Sequence, residues 1–525
     1  MMEKSQNDIW IGLEDLNNDP EFKKNLVTDE FFELPVVDAL SDQEKVATAT
    51  TGASRREFLK YLGFGLGAAT IAASCEIPIK KGVPYVVKPD KIVPGVATYY
   101  ASTFMKGGDV CPIIVKTREG RPIKIEGNRL SEMVNGGSSA RVQASVLELY
   151  DVSRIKGPGK VKETYDRRSP VEKLSWSDLD ELVKQKLTPE SRIALVSNTV
   201  ASPSMKQAIA DFIVAYPNAE HVAYDAVSSA AILKANEATF GEGFAVIPSY
   251  HFDKAQTVFS FGADFLGTWI SPVEFAADWT KNRRIKNLDK PVLNRMYYAE
   301  SGMSLTGSNA DNRVLIKPSE QGLAIATLYN EVAKLAGGNQ VSVSGSLSHE
   351  KAQPALVAAA NDLWTNRAKG VLVVSGSNNT GEQILVNAIN NLLGAYGTTI
   401  DFDRPSYQRQ GSEVNIQNLL NKMKNGAVDA VFVLDEANPV YDLPNGNEFK
   451  EALANVGLTV SMSTLPNETL AASMYAAPDS HWLESWGDAE PKKGLLLLGQ
   501  PTISPLFDTR DSAISLLQWT GSDYV

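Results

Sequence analysis

The chain has 525 residues, which suggests roughly three to four domains, with 43% hydrophobic and 22% charged residues. Its 51 basic against 62 acidic side chains leave a net charge of −11, so a general attraction to nucleic acid phosphates is excluded. Two cysteines and four scattered histidines exclude a four-cysteine iron–sulfur cluster, a disulfide framework and any local HxH or HxxxH metal motif.

Residues 1–54 read as a polar, flexible N-terminal extension. Within it Ile9, Trp10, Leu13 and Leu16 recur at near-helical spacing, the pattern of a short docking helix or a transient turn. Residues 55–75 follow as "RREFLKYLGFGLGAATIAASC". Arg55 and Arg56 precede an uncharged apolar run that is shorter than the roughly 20 residues of a membrane span. A basic front, an apolar middle and a small-residue end are the parts of an export signal, and the paired arginines resemble the twin-arginine type. The run ends in "IAASC", which resembles a lipobox with Cys75 as the acylated residue, the alternative being an unmodified free thiol. Lipid there would hold the protein at a membrane surface without a spanning helix. The expected location is the extracytoplasmic (periplasmic) face of a bacterial inner membrane.

Residues 76–173 form a β-rich region. "CPIIVKTREGRPIKIEGN" predicts two strands, Ile113–Thr117 and Pro122–Glu126, turning at Glu119-Gly120. Cys111, just ahead of the first strand, reads as a small buried hydrophobe. From residue 174 the pattern becomes strand–helix alternation. "SWSDLDELVKQKL" predicts a capped amphipathic helix with Leu179, Leu182, Val183 and Leu187 on one side. "RIALVSN" predicts a buried strand, and a helix starts near Pro203. "TVFSFGADF", "PVLNRMYYAES" and "RVLIKP" add strands. After the Gly- and Ser-rich stretch at 337–350, "GVLVVSGSNNTGEQILVNAINNLLGAYG" restarts the alternation, and "AVDAVFVLDEANPVYDLP", "VGLTVSMSTLPNET" and "GLLLLGQPTISP" supply later strands. The expected architecture is α/β: a β-rich N-terminal region, then two Rossmann-like parallel-sheet units at 174–340 and 341–525.

Ligands of such folds bind in loops beyond the carboxyl ends of strands, here "SNTVASPS", "GADFLGTW", "SGSNNTG" and "DEANPVYD". Asp264, Asn378 and Asn438 lie in them, placed either to meet a base or sugar or simply to build turns. "HWLESWGD" contains His481, Glu484 and Asp488, whose types suit acid–base work and whose spacing suits packing and hydrogen bonding equally.

The ordered segments "GRPIKIEGNRLSEMVNGGSSARVQASVLELYDVSRIKGP", "LSWSDLDELV", "GADFLGTWISPVEFAADW", "EANPVYDLP" and "DSHWLESWGDAEPKKGLLLLGQPTISPLFDTR" resemble landmarks of the molybdopterin oxidoreductase superfamily. Members hold a bis-pterin guanine dinucleotide between nested α/β domains. More narrowly, the chain resembles the molybdopterin-like half of the large iron–sulfur subunit of alternative complex III, a quinol:electron-acceptor oxidoreductase. That family's pterin-type domain is thought to have lost its molybdenum cofactor. The resemblance implies a non-catalytic scaffold subunit, with no catalytic, cofactor-binding or metal residue in this chain. Iron–sulfur clusters would need a missing C-terminal half or a partner. Implied partners are iron–sulfur and cytochrome c subunits, integral membrane quinol-binding subunits and the membrane surface. Two other functions fit the residues: an active molybdopterin-dependent oxidoreductase with a non-cysteine ligand, and an extracytoplasmic ligand-binding lipoprotein.

Overall fold

The computed structural model describes residues 95–285, 288–289, 293–434 and 437–522. The N-terminal extension, the signal-like segment with Arg55, Arg56 and Cys75, and the first part of the β-rich region lie outside the described residues.

In chain order the strands are β1 (Ala97–Lys106), β2 (Asp109–Arg118), β3 (Arg121–Gly127), β4 (Gly159–Val161), β5 (Val171–Lys173), β6 (Ile193–Ser197), β7 (Ala219–Ala223), β8 (Ile247–Tyr250) and β9 (Thr257–Phe261). They continue as β10 (Arg295–Glu300), β11 (Asn312–Leu315), β12 (Val371–Ser375), β13 (Ile400–Ser406), β14 (Ala430–Val433), β15 (Leu458–Ser461), β16 (Tyr475–Ala476), β17 (Gly487–Lys492) and β18 (Leu495–Gly499). The helices used below are α1 (Ala140–Leu149), α2 (Trp176–Lys186), α3 (Pro203–Ala215), α4 (Ala230–Phe240), α5 (Pro272–Lys281), α6 (Gln321–Ala336), α7 (Ala352–Asn366), α8 (Thr380–Leu392), α9 (Glu413–Lys424), α10 (Gly446–Leu453) and α11 (Ser512–Thr520).

β1, β2 and β3 form an antiparallel sheet, and the β2–β3 turn has Glu119 at φ 51° and Gly120 at φ 76°. Two positive φ values in succession match the twist of a two-residue hairpin, which is why this turn was legible. α2 likewise follows its local signals: Ser175 and Asp178 form a reciprocal capping box, while Leu179, Val183 and Leu187 are buried.

Two parallel sheets carry the body. The larger runs β5-β4-β16-β15-β14-β6-β7, parallel from β16 to β7. Its central strands β15, β14 and β6 are buried on both faces. Leu195, Phe432 and Val460 meet α2, α3 and α11, while Ala194, Val196, Val431 and Val433 meet α9 and α10. The smaller runs β11-β10-β9-β12, all parallel. Phe259, Tyr297 and Val373 pack under α6, α7 and α8, and Val258, Met296 and Leu372 pack against α5. Alternate residues thus face opposite apolar layers, which is why these strands read as continuous hydrophobic runs.

The expected boundary at 340/341 does not separate the sheets. β12 pairs with β9, and β14 pairs with β6, so each sheet takes strands from both sides. After β7 the chain builds the whole smaller sheet before returning to add β14, β15 and β16 to the larger one. β18 also departs from expectation: it forms an antiparallel hairpin with β17 in a fourth sheet, β18-β17-β13-β8. No helix among the described residues is long and apolar enough to cross a membrane.

Candidate functional site

In the larger sheet the strand order reverses between β6 and β14, so the crevice expected to bind a ligand opens beyond Ser197 and Val433. A cleft of about 250 Å³ begins there. It is lined by the β1–β2 turn, the loop from β6 into α3, residues 479–482 and 485–489 and the start of α11.

α3 begins as its sequence suggests. Ser202 accepts from Met205 N–H at 3.0 Å, and Pro203 occupies the first turn, where a missing N–H costs nothing. Such a terminus, following a parallel strand, is the usual seat of a phosphate. Here Asp488, from β17, takes that seat. Its carboxylate accepts from Ser204 N–H at 3.2 Å, from Ser204 Oγ at 2.7 Å and from Ser202 Oγ.

A second carboxylate lies behind the loop that lines the cleft. Asp225, just after β7, accepts from Thr199 Oγ1 at 2.6 Å, Thr199 N–H at 3.1 Å and Gly411 N–H at 2.8 Å. Gln410 N–H donates to Thr199 Oγ1 at 2.7 Å, drawing the 407–411 loop across the loop that follows β6. The approach requires glycine: a Cβ on Gly411 would run into Asp225 N and the Tyr224 carbonyl carbon. On the opposite wall Asp109 is ion-paired with both Arg141 and Arg409. Arg409 holds a φ of 55° and donates to the Gly107 carbonyl at 2.9 Å.

Behind the cleft wall at His481 lies a buried polar knot. Arg154 and Glu484 form a bidentate pair at 3.0 and 2.7 Å, with both side chains at most 1% exposed. Glu484 also accepts from His481 N–H at 3.1 Å and Leu506 N–H at 3.0 Å. His481 Nδ1 accepts from Leu483 N–H at 3.2 Å, which leaves the ring proton on Nε2. Burial first, then the charges of Arg154 and Lys106, push the His481 pKa down to about 3. Neutral at ordinary pH, this imidazole is part of the wall and a poor proton carrier. The trio His481, Glu484 and Asp488 therefore builds structure: the knot uses the first two, and the third caps a helix.

Asp264, Asn378 and Asn438 bond to neighbouring segments as well. Asp264 accepts from Thr306 N–H at 2.9 Å and Oγ1 at 2.6 Å. Asn378 accepts from Ala231 N–H at 3.1 Å and donates to Glu413. Asn438 accepts from Thr469 N–H at 3.1 Å and Oγ1 at 2.7 Å, and donates to Glu468 at 2.8 Å. Cys111 is 1% exposed on β2, and burial, followed by the charge of Asp109, pushes its thiol up to about 12. A thiol so far from ionising neither attacks nor ligates at ordinary pH.

The donor set does not suit the bis-pterin guanine dinucleotide that members of the superfamily hold. A carboxylate stands at the α3 terminus, where pyrophosphate needs open N–H groups. The one described cysteine is sealed in a β core. Arg55, Arg56 and Cys75, the residues singled out from sequence, lie outside the described chain. Asp225, Arg154 and Arg409 were missed; only Asp225, an acid directly after a strand, carried a local signal.

No family model matches the chain. It is 25% identical over 483 residues to a protein of Nitratidesulfovibrio vulgaris (Hildenborough) described as "Menaquinone reductase, molybdopterin-binding-like subunit". That match covers 81% of this chain and 65% of the relative, so the chain spans just under two thirds of that protein's length. Acetylene hydratase from Pelobacter acetylenicus has a similar fold, with a TM-score of 0.60 and 12% identity over 80% of this chain and 69% of that one.

Proposed function

The chain is molybdopterin-oxidoreductase-like, and from that premise we propose that it is a non-catalytic scaffold subunit of a membrane-associated respiratory electron-transfer complex that handles quinones. The finer assignment is a complex of the alternative complex III type. There this chain would hold iron–sulfur and cytochrome c subunits against integral membrane quinol-binding subunits, within electron-tunnelling reach of one another. Its place would be the extracytoplasmic face of the inner membrane, reached through the Arg55-Arg56 signal and anchored at Cys75. The likeness to a molybdopterin-binding-like subunit supports a role in a redox assembly.

The observation that carries the non-catalytic reading is the Asp488 carboxylate in the crevice. Asp488 seals the N-terminus of α3, and behind the lining loop Asp225 binds the 407–411 loop. Asp488 would have to be displaced, and its repulsion overcome, before a pyrophosphate could reach that terminus. Elemental and pterin analysis of the protein purified from its native membrane tests the proposal. Molybdenum and pterin far below one per chain are expected, with haem and iron co-purifying in bound partner subunits. Stoichiometric molybdenum would overturn it in favour of an active molybdopterin oxidoreductase.

A further inference from the structure

Away from the crevice, the turn between β8 and β9 faces the last turn of α5. His251 and Asp253 come from that turn and Asp278 from the helix, and one ligand atom from each lies within 4.8 Å of the others. Asp278 comes from a separate element, so no single spacing motif announces the three. Lys281 stands among them, its Nζ 2.7 Å from Asp278 and 3.4 Å from Asp253.

That ammonium neutralises the cluster incompletely. Asp253 Oδ1 is buried with no hydrogen-bond partner, although its sister oxygen meets Lys281. A ring nitrogen of His251 converges on the same point, with the Asp401 carboxylate 3.9 Å from its Nε2. Two carboxylates and an imidazole carry the charge and donor types of a zinc-class site, with an open fourth position for water. The imidazole favours such ions over calcium or magnesium, which take oxygen. Lys281 is 41% exposed on a flexible stem, so it can leave toward solvent.

We propose that His251, Asp253 and Asp278 form a divalent transition-metal site in which the Lys281 ammonium and the metal compete for one position. Binding joins three protein ligands to the metal, releases the ammonium to solvent and leaves the chain otherwise in place.

Calorimetric titration of the full chain with zinc, together with visible absorption of added cobalt(II), tests this in the wild type, Lys281→Met, and Lys281→Met with His251→Ala. Removing the competing charge should tighten zinc binding about tenfold or more. It should also give the cobalt complex the strong visible absorption of low-coordinate geometry. The added His251→Ala change should abolish both. Lys281→Gln serves as a second lysine variant, and circular dichroism establishes that each protein is folded. Zinc binding no tighter in either lysine variant than in the wild type would overturn the proposal. So would a cobalt signal that survives loss of His251.

Discussion

His481 has lost its water and gained the neighbouring charges of Arg154 and Lys106, and the consequence is a definite pH dependence. Its folded pKa of about 3 lies below the ordinary value of 6.5. As pH falls below 6.5 the unfolded chain takes up a proton that the folded chain refuses, so stability is full above that pH and is lost toward 3. The limiting slope is about 1.4 kcal/mol per pH unit. In urea unfolding, His481→Asn should therefore close the gap to wild type by about 2 kcal/mol between pH 7 and pH 5. A gap that stays constant over that range would show that the ring is charged or solvated in the folded protein. At this scale the sequence was partly readable. "HWLESWGD" suggested a packing role, and Cys111 was readable as a buried hydrophobe because small thiols usually are. Arg154, the partner that gives Glu484 its role, lies 330 residues away, and no local pattern connects them.

The same division holds for the elements. Ser202 and Pro203 announce the start of α3 because capping is a local transaction between a side chain and the next few N–H groups. Asp488 completes that cap from 286 residues away, on a strand of a different sheet, and it is what turns an anion seat into a closed joint. Asp488→Ala should cost about 1–2 kcal/mol of stability, the usual penalty for losing a helix cap. It should also leave the Ser204 N–H open to an external anion. Thermal melts with and without inorganic phosphate read both effects: the variant melts lower than wild type, and phosphate raises its midpoint more than that of wild type. An equal phosphate response in the two proteins would mean that Asp488 is not what excludes anions from the crevice. Strands were legible for a related reason, since β6, β9, β12 and β14 are apolar on both faces and bounded by turns. β17 has no such run: Asp488, Glu490 and Lys492 lie in it, and it is held by pairing with β18.

For the whole molecule, the order of strand and helix gave the class but not the connectivity. Hydrophobic periodicity records that a strand is buried on both faces, and it is silent about which sheet buries it. A Gly- and Ser-rich stretch at 337–350 therefore looked like a boundary, although α6 before it and α7 after it pack in one core over the same sheet. The interleaving has an energetic consequence. Separating the chain at 340 strips β9 of β12 and strips β6 of β14, exposing Val258, Phe259, Leu195 and Val196 along with unpaired backbone. Each exposed large side chain forfeits roughly 1.5–3 kcal/mol of burial, and a handful of them equals the whole stability of an ordinary domain. Residues 95–340 and 341–525 expressed apart should accordingly lack cooperative unfolding by circular dichroism and should aggregate. Co-expressed, they should assemble into one species on gel filtration that melts in a single transition. A cooperative transition in the isolated 95–340 piece would show that the smaller sheet folds without β12, and that the body is two domains after all.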